Sequence, residues 1–368
     1  MNRRSFLRSS TVLAAGAFFS HRSLGAEAKV IDTKVITLDA AYYHGWPTLI
    51  RRKNGQLLVA CSGGREHHVC PFGRVDLYVS HDDGATWGWP RTVLDGDSDD
   101  RDAGLLETAK GSLLVTTFTS LAYEPLLKRG IKDGKWDPAR LVKWKAAHER
   151  MSVEERKAEL GQWIIRSTDG GKTWSPRTSS IVNSPHGPAQ LSDGRLLYVG
   201  KELWTGEHRN GISESRDDGQ TWTWLTEIPT RPGDKAAEYH ELHMVECKSG
   251  RLLVHIRNHN KANSGETLQT ESTDGGKTWS EPHPIGVWGL PSHLLRLNDG
   301  RILMSYGHRR DALGNQARIS ADEGATSRSF EAACEPRCLE RLSSRVLAHG
   351  PSHHGRLCES RRFLHACG

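Results

Sequence analysis

The chain has 368 residues, a formal net charge of +6 and a pI near 8.9. This length permits one large repeat domain or two ordinary domains. Charges of both signs are interspersed, and no basic block interleaved with aromatic residues indicates nucleic-acid binding, so we exclude that class of protein. A mildly basic surface still suits an anionic ligand.

The first residues have the pattern of an export signal. The adjacent arginines Arg3 and Arg4 precede a short apolar run, Thr11–Phe19, and small residues follow it. The pattern resembles a twin-arginine signal, and the run is too short to span a bilayer. We therefore predict a signal peptide over residues 1–28, no stable membrane insertion after its removal, and a periplasmic or secreted protein.

A turn motif, S-x-D-x-G-x-x-W, recurs along the chain. Its intact copies begin at Ser80, Ser167, Ser215 and Ser272, and a fifth copy at Ser320 lacks the tryptophan. The start-to-start spacings are 87, 48, 57 and 48 residues. Aspartate accepts hydrogen bonds from the following backbone, glycine supplies a positive φ, and tryptophan packs into a core, so the motif is structural. Repeats near 50 residues are typical of propeller blades.

A second repeat accompanies the first. A glycine turn opens an apolar strand in five places, at Gly55, Gly111, Gly194, Gly250 and Gly300. Each of these turns predicts a hairpin. Every blade therefore contains a hairpin, a strand, a loop, another strand and then the SxDxGxxW turn.

One predicted blade has a much longer loop than the others. The extra segment is rich in charged residues, and Ser152 with Glu155 fits a helix-capping box. We predict a helical insertion over residues 138–160 that overhangs the substrate face.

The composition changes after about Thr326. The remaining residues include four cysteines but no aspartate, lysine, tryptophan or tyrosine. We predict a propeller over residues 29–325 and an aberrant, disordered tail over 326–368, produced by a shifted reading frame or an altered terminus. A divergent natural tail is the alternative.

Both repeats and their spacing resemble the sialidase (neuraminidase) superfamily of Asp-box, or BNR-repeat, proteins over about residues 35–325. His186, with Gly187 and Pro188, is similar to the HG segment of that family. The placement of Glu241 and Arg257 around a hairpin glycine is similar to its catalytic blade. The resemblance implies an all-β fold of the six-bladed β-propeller type with four-stranded antiparallel blades. Here the propeller is incomplete, with about five blades.

The resemblance also implies a chemistry. In that family a cluster of arginines clamps the carboxylate of an acidic sugar, which suits the planar, bidentate guanidinium. A tyrosine attacks the sugar after a glutamate takes its proton, and an aspartate acts as general acid and base. This mechanism is an exception to the rule that glycosidases use two carboxylates.

Several residues match these roles by position. Glu241 fits the base, with an ordinary surface glutamate as the alternative. The substrate-binding candidates are Arg65, Arg257, Arg309, Arg310, His186 and His240, while Arg318 is a weaker one.

Other positions depart from the family pattern. Gly45 stands where the first clamp arginine is expected. Asp102 is a candidate for the missing acid or for substrate contact, and an exposed acidic loop is its alternative. The nucleophilic tyrosine is expected in the last blade, which the tail replaces. Tyr239 is close to Glu241 in sequence but lies on the wrong strand.

These observations favour a sialidase-like exo-glycosidase that cleaves terminal, acidic sugars from glycans or glycoconjugates. The alternative is a noncatalytic propeller that binds glycans or proteins. A third reading is another glycosidase chemistry with His67, His68 or His240 as acid or base. We expect no cofactor and no metal, because strand alternation sends neighbouring histidines to opposite faces.

Overall fold

A computed structural model describes residues 32–37, 41–204, 206–311, 313–325 and 330–334. The predicted signal peptide and most of the predicted tail lie outside these ranges. Five four-stranded sheets follow one another along the chain. Blade 1 contains β1 (Tyr43–Arg51), β2 (Leu57–Arg65), β3 (Arg74–Ser80) and β4 (Arg91–Leu94). Blade 2 contains β5 (Asp99–Glu107), β6 (Leu113–Ser120), β7 (Gly161–Ser167) and β8 (Thr178–Ser179). Blade 3 contains β9 (Ala189–Gln190), β10 (Leu196–Lys201), β11 (Asn210–Ser215) and β12 (Thr223–Glu227). Blade 4 contains β13 (Tyr239–Glu246), β14 (Leu252–Asn258), β15 (Leu268–Ser272) and β16 (His283–Pro284). Blade 5 contains β17 (Gly289–Arg296), β18 (Ile302–His308), β19 (Gly314–Ser320) and β20 (Phe330–Cys334).

Each blade is an antiparallel meander in which strands adjacent in sequence are neighbours in the sheet. The predicted glycine turns join the first two strands of each blade, as in the pairing of Arg51 with Leu57 around Gly55. This arrangement confirms the all-β fold with five four-stranded antiparallel blades. β20 pairs with β19, so residues predicted to belong to the tail form the outer strand of blade 5.

The core consists of apolar layers between consecutive blades. Strands alternate side chains between their two faces, so each sheet offers one apolar row to each neighbouring blade. Blades 1 and 2 share Leu58, Leu77, Leu105 and Val115; blades 2 and 3 share Leu114, Ile164, Leu196 and Tyr198; blades 3 and 4 share Val199, Ile212, Leu242 and Val254; blades 4 and 5 share Val245, Leu253, Leu294 and Met304.

The SxDxGxxW turns join the third strand of a blade to the fourth with one repeated set of hydrogen bonds. In blade 1, Ser80 Oγ donates to Asp82 Oδ1 at 2.8 Å and accepts from Gly84 N at 2.8 Å. Thr86 Oγ1 donates to Asp82 Oδ2 at 2.6 Å. Hydrogen bonds from Thr86 and then Ser80 lower the pKa of Asp82 to about 2. The motif is therefore structural, as predicted.

The two ends of the propeller differ because the strands alternate in direction. The hairpin turns and the SxDxGxxW turns lie at one end, the turn face. The links between the second and third strands of a blade, and those between blades, lie at the other end, the upper face. The predicted site residues follow a second strand or precede or begin a first strand, and this places them at the upper face.

The helical insertion also lies at the upper face, between β6 and β7. It contains α1 (Glu124–Asp133), α2 (Pro138–Glu149) and α3 (Val153–Ala158), so it begins earlier than the predicted residue 138. The predicted capping box at Ser152 and Glu155 is present. Trp144 and Leu127 pack with Cys70 from blade 1. Within the described part of the chain, no helix has the length and apolar character that crossing a membrane requires.

Candidate functional site

The first strands of four blades share an irregularity at the upper face. In β1, β5, β13 and β17, two residues stand opposite one residue of the second strand, which defines a β-bulge. In blades 1, 2 and 4 the first residue of the bulge also has a left-handed backbone, with φ of 51° at Trp46, 55° at Asp102 and 41° at Glu241. Non-glycine residues rarely adopt this conformation, and those that do cluster at functional sites.

The three bulges with left-handed backbone also occupy one position in the repeat. Trp46, Asp102 and Glu241 each precede the hairpin glycine of their blade by nine residues (55 − 46, 111 − 102 and 250 − 241). The fold therefore puts the two predicted catalytic carboxylates at equivalent places in blades 2 and 4. The sequence alone could have revealed this equivalence, because the interval to the hairpin glycine is the same in all three blades.

Glu241 and Arg257, which the sequence places around one hairpin glycine, form an ion pair. Arg257 Nη1 donates to Glu241 Oε2 at 2.6 Å, and both side chains keep about a quarter of their surface exposed, 25% and 23%. Arg257 Nε donates to His259 Nε2 at 2.8 Å. The pair is therefore oriented by the protein and still accessible to a ligand.

Asp102 is not part of an exposed acidic loop, and that alternative is wrong. The segment from Asp99 to Asp102 lies in β5, and Asp102 is 6% exposed. Its backbone N donates to Ser62 Oγ at 2.9 Å, which ties the bulge to blade 1. Burial raises the pKa of the neighbouring Asp100 to about 6. This part of the upper face therefore holds carboxyl groups in a poorly solvated environment.

Arg65 has a different position from the one its sequence suggested. Its side chain is fully buried, and its two terminal nitrogens donate to the two oxygens of Asp99 at 2.5 and 3.0 Å. The guanidinium carbon lies 5.1 Å from the Trp46 ring centre. Because Asp99 already occupies the bidentate edge, the substrate-contact role predicted for Arg65 is not supported, and the residue links blades 1 and 2.

The space beside Gly45, where the first clamp arginine is expected, is filled by the Tyr43 ring. A Cβ atom at this position would lie 2.8 Å from Tyr43 Cε1 and 3.2 Å from Tyr43 Oη. The Tyr43 ring makes edge contacts with Trp46 at 5.8 Å and His68 at 6.1 Å. An aromatic cluster therefore stands at the rim of blade 1. The sequence indicated this cluster only through the aromatic residues of β1, and the sequence analysis assigned them no role.

The arginines of blade 5 have separate environments. Arg309 and Arg310 follow β18 and are exposed, and the Arg310 guanidinium lies 3.8 Å from the Trp288 ring centre. Arg318 instead donates from Nε to Tyr306 Oη at 2.8 Å. The exposed pair has the accessibility that substrate contact needs, while Arg318 is engaged within the blade. The role of Arg309 and Arg310 stays a prediction.

His186 lies in a group of three imidazoles on the inner wall. Its ring centre is 4.8 Å from that of His243 and 5.5 Å from that of His293, and His243 stacks on His293 at 4.2 Å. Burial lowers the pKa of His293 to about 4. Burial and then the neighbouring His293 and His186 place the pKa of His243 well below 6.5. At neutral pH His243 and His293 are therefore uncharged.

One group of side chains in the described ranges has the proximity that a metal requires. Ligand atoms of Glu238, His240 and His259 all lie within 4.8 Å of one another. Arg257 already donates to His259 Nε2. Burial and then the charges of Lys201, His259 and Arg257 lower the pKa of His240 to about 4. The same positive charges oppose a divalent cation.

Tyr239, the tyrosine nearest to the predicted catalytic glutamate in sequence, and Tyr306, in blade 5, both have hydroxyls engaged by the protein. Tyr239 is fully buried and donates from its hydroxyl to Asp234 Oδ2 at 2.7 Å. Burial and then the hydrogen bond to Asp234 raise the pKa of Tyr239 to about 12. Tyr306, in the last blade, is 5% exposed and donates to Gln316 Oε1 at 2.6 Å. Both hydroxyls are engaged in structural contacts away from Glu241.

Several proteins of known class resemble this chain at low identity. A sialidase from Bacteroides fragilis is 25% identical over 296 residues, which cover 76% of this chain and 50% of that protein. A sialidase from Micromonospora viridifaciens is 23% identical over 192 residues, covering 43% and 30%. A xyloglucanase from a Paenibacillus species is 28% identical over 165 residues, covering 39% and 16%. The chain thus spans half or less of the length of these curated relatives.

Solved structures share the fold. A protein of unknown function from Dyadobacter fermentans has a TM-score of 0.65 at 21% identity, with 83% of this chain and 86% of that chain covered. The K499G mutant of the NanB sialidase from Streptococcus pneumoniae has a TM-score of 0.58 at 15% identity, with 83% and 64% covered. Residues 141–332, just over half of the chain, match the BNR repeat-like domain. With its repeated turns and five blades, the chain belongs to the BNR repeat-like domain family.

Proposed function

We propose that the upper face hydrolyses glycosidic bonds, with Glu241 and Asp102 as its two carboxylates. The observation that carries this proposal is their equivalence: matching bulges with left-handed backbone place both residues nine positions before a hairpin glycine. Two suitably placed carboxyl groups are the usual equipment of glycosidases. The sialidase and xyloglucanase relatives favour a glycan as the substrate.

The two carboxyl groups suit different tasks because their surroundings differ. Arg257 fixes one oxygen of Glu241, while Oε1 of the same carboxylate has no hydrogen-bond partner among the described residues. That oxygen is the atom that accepts a proton. Asp102 is 6% exposed, so it meets a ligand through a much smaller surface than Glu241 does, and we assign it the role of general acid.

We further propose a sialidase-like exo action on terminal, acidic sugars. Arg257, Arg309 and Arg310 are the accessible arginines that support recognition of an acidic sugar. The acidic preference has less support than hydrolysis itself, because Asp99 occupies Arg65 and the Tyr43 ring fills the space beside Gly45. Export to the periplasm or the medium by the twin-arginine route belongs to the same proposal.

A panel of fluorogenic glycosides tests hydrolysis, with an α-sialoside, a β-glucuronide and a β-glucoside as substrates. Glu241→Gln and Asp102→Asn should each lower the rate about 10²-fold or more, because each removes a proton-transfer group. Glu227→Gln, at an exposed carboxylate at the end of β12, is the matched control and should leave the rate unchanged. Wild-type rates in both site variants would overturn the assignment.

Noncatalytic glycan binding is the second candidate. It is favoured by the aromatic cluster of Tyr43, Trp46 and His68, and by the structural contacts of Tyr239 and Tyr306. Binding of a glycan without turnover of any glycoside in the panel would support it over hydrolysis.

Histidine-based acid–base chemistry, the third reading, makes a different prediction. It requires His240→Gln, or substitution of His67 or His68, to abolish turnover that Glu241→Gln leaves intact.

A further inference from the structure

A cleft of about 430 Å³ lies between the helical insertion and blade 1. It opens at the upper face, and its lining comes from α2, from the residue that precedes this helix and from the link after β2. The lining residues are Glu66, Asp137, Ala139, Arg140 and Lys143. None of these residues belongs to the Glu241 and Asp102 site. Two of them are acidic and two are basic, so the contacts of each decide what the cleft can bind.

The two acidic residues are already engaged by the protein. Glu66 accepts hydrogen bonds from Lys143 Nζ and, at 2.8 Å, from Trp144 Nε1. Asp137 caps α2, because its Oδ1 accepts from Arg140 N at 2.9 Å. Asp137 therefore interacts with the N-terminal end of α2, and Glu66 interacts with Lys143.

Arg140 is the lining cation that forms no salt bridge with a described residue. Its guanidinium carbon lies 4.3 Å from the Trp136 ring centre and 4.8 Å from the Trp144 ring centre. Its Nε is buried without a hydrogen-bond partner, and no carboxylate within the described ranges lies within 4.0 Å of the guanidinium. The two indoles contact the guanidinium through cation–π interactions, which leave its terminal nitrogens to donate to an external acceptor.

The surroundings connect this cleft to the rim of blade 1. Glu66 is followed by His67 and His68, and the His68 ring lies 5.0 Å from that of Trp46. Burial and then the charge of Arg140 lower the pKa of His67, so this neighbour is neutral at pH 7 and the positive charge of the cleft comes from Arg140 and Lys143. A ligand in the cleft therefore lies beside the aromatic cluster at the first bulge.

We infer that this cleft binds one anionic group of a glycan, a carboxylate or a sulfate ester, with Arg140 as its main ligand and Lys143 as a second donor. The planar fork of arginine donates two parallel hydrogen bonds to such a group. That the ligand is a glycan rests on the proposed function. The anion site itself does not require that the upper face hydrolyses anything.

Calorimetric titration of the full chain tests this inference, with glucuronate as the charged probe and glucose as its neutral match. Glucuronate should bind and glucose should not, and added salt should weaken the binding. Arg140→Gln should bind glucuronate about tenfold more weakly, because it removes the main charged donor. Lys145→Gln, which removes an exposed charge from the same helix, is the control and should bind like wild type.

Arg140→Lys covers the case in which the glutamine variant does not fold. It keeps the positive charge but loses the fork, so it should bind glucuronate several-fold more weakly than wild type. Equal binding of glucuronate and glucose, or wild-type affinity in the Arg140 variants, would overturn the inference. Glu241→Gln should keep glucuronate binding in the cleft even where it abolishes hydrolysis, which separates this site from the proposed active site.

Discussion

The turn face and the upper face of this propeller follow opposite rules. At the turn face, four blades repeat one set of hydrogen bonds, for example Ser215 to Asp217 at 2.8 Å and Thr221 to Asp217 at 2.6 Å. At the upper face, blade 2 carries three helices, while blades 1, 2 and 4 fill the same bulge with tryptophan, aspartate and glutamate. Repetition therefore specifies the architecture, and departures within a repeated frame supply the residues that we propose for the chemistry.

We expect the largest effect from acid. The buried histidines and the aspartates of the turn motif should lose their contributions to stability at different pH values. His243 and His293 stay neutral in the fold, whereas an unfolded histidine has a pKa of about 6.5. Their contribution is complete above about pH 6.5 and is lost as the pH falls towards 4, by about 1.4 kcal/mol per pH unit for each histidine. Asp82, with a pKa of about 2, loses its contribution only between pH 3.8 and 2.

Urea unfolding of wild type and His293→Phe between pH 7.5 and 4.5 measures this difference. The phenyl ring keeps the stack on His243 but takes up no proton, so the variant should lose stability less steeply with acid. Asp100 acts in the opposite sense, because its raised pKa adds stability as the pH falls below 6. Both proteins contain Asp100, so its contribution cancels when the pH dependence of stability of one is subtracted from that of the other. An identical pH dependence in the two proteins would refute the assignment.

A tryptophan at the turn face should affect stability alone. Trp222 packs on the layer between blades 2 and 3, 6.2 Å from the Tyr198 ring, and donates to Gly219 O. Trp222→Ala should lower the free energy of unfolding by about 2–3 kcal/mol while the folded fraction keeps its upper-face activity. Trp89 is 78% exposed, and its replacement by alanine should change stability by about 0.5 kcal/mol or less. Equal losses in the two variants would contradict the role of the turn.

A glycine in place of Glu241, at the bulge of β13, should do the reverse and affect activity alone, with the smallest effect on stability. Glu241→Gly relieves about 1 kcal/mol of left-handed strain and removes a partly exposed ion pair that contributes at most about 1 kcal/mol. Hydrolysis should be lost while the free energy of unfolding stays nearly constant. Glu227→Gly, at a strand position without positive φ, should instead cost about 0.5–1 kcal/mol. Thermal melting measures both changes in stability. A larger loss of stability in Glu241→Gly than in Glu227→Gly would show that the backbone at the bulge is unstrained.

Local signals predicted the blades and the placement of Glu241 and Arg257 around one hairpin. The turns need particular residue types at short intervals, so their sequence specifies them without tertiary information. Glu241 and Arg257 were selected as candidates for the same reason, because both positions are counted from one hairpin. Each of these inferences depends on contacts within a single blade.

Contacts between blades could not be predicted from sequence intervals within a single blade. Arg65 meets Asp99 across 34 positions of sequence, and only the packing of blade 1 on blade 2 reveals that pair. The Tyr43 ring beside Gly45 and the burial of Asp102 likewise depend on the neighbours of an inner strand. The early start of the insertion at Glu124 was missed because α1 precedes the segment that the loop length suggested.

The left-handed bulge before the hairpins of blades 1, 2 and 4 also bears on how such a protein changes over generations. The main chain makes the bulge, and aromatic, acidic and longer acidic side chains all occupy it in Trp46, Asp102 and Glu241. A blade copied by gene duplication brings this position with it, already located at the rim. A single codon change there can then alter the reactivity of the rim while the inherited scaffold stays the same.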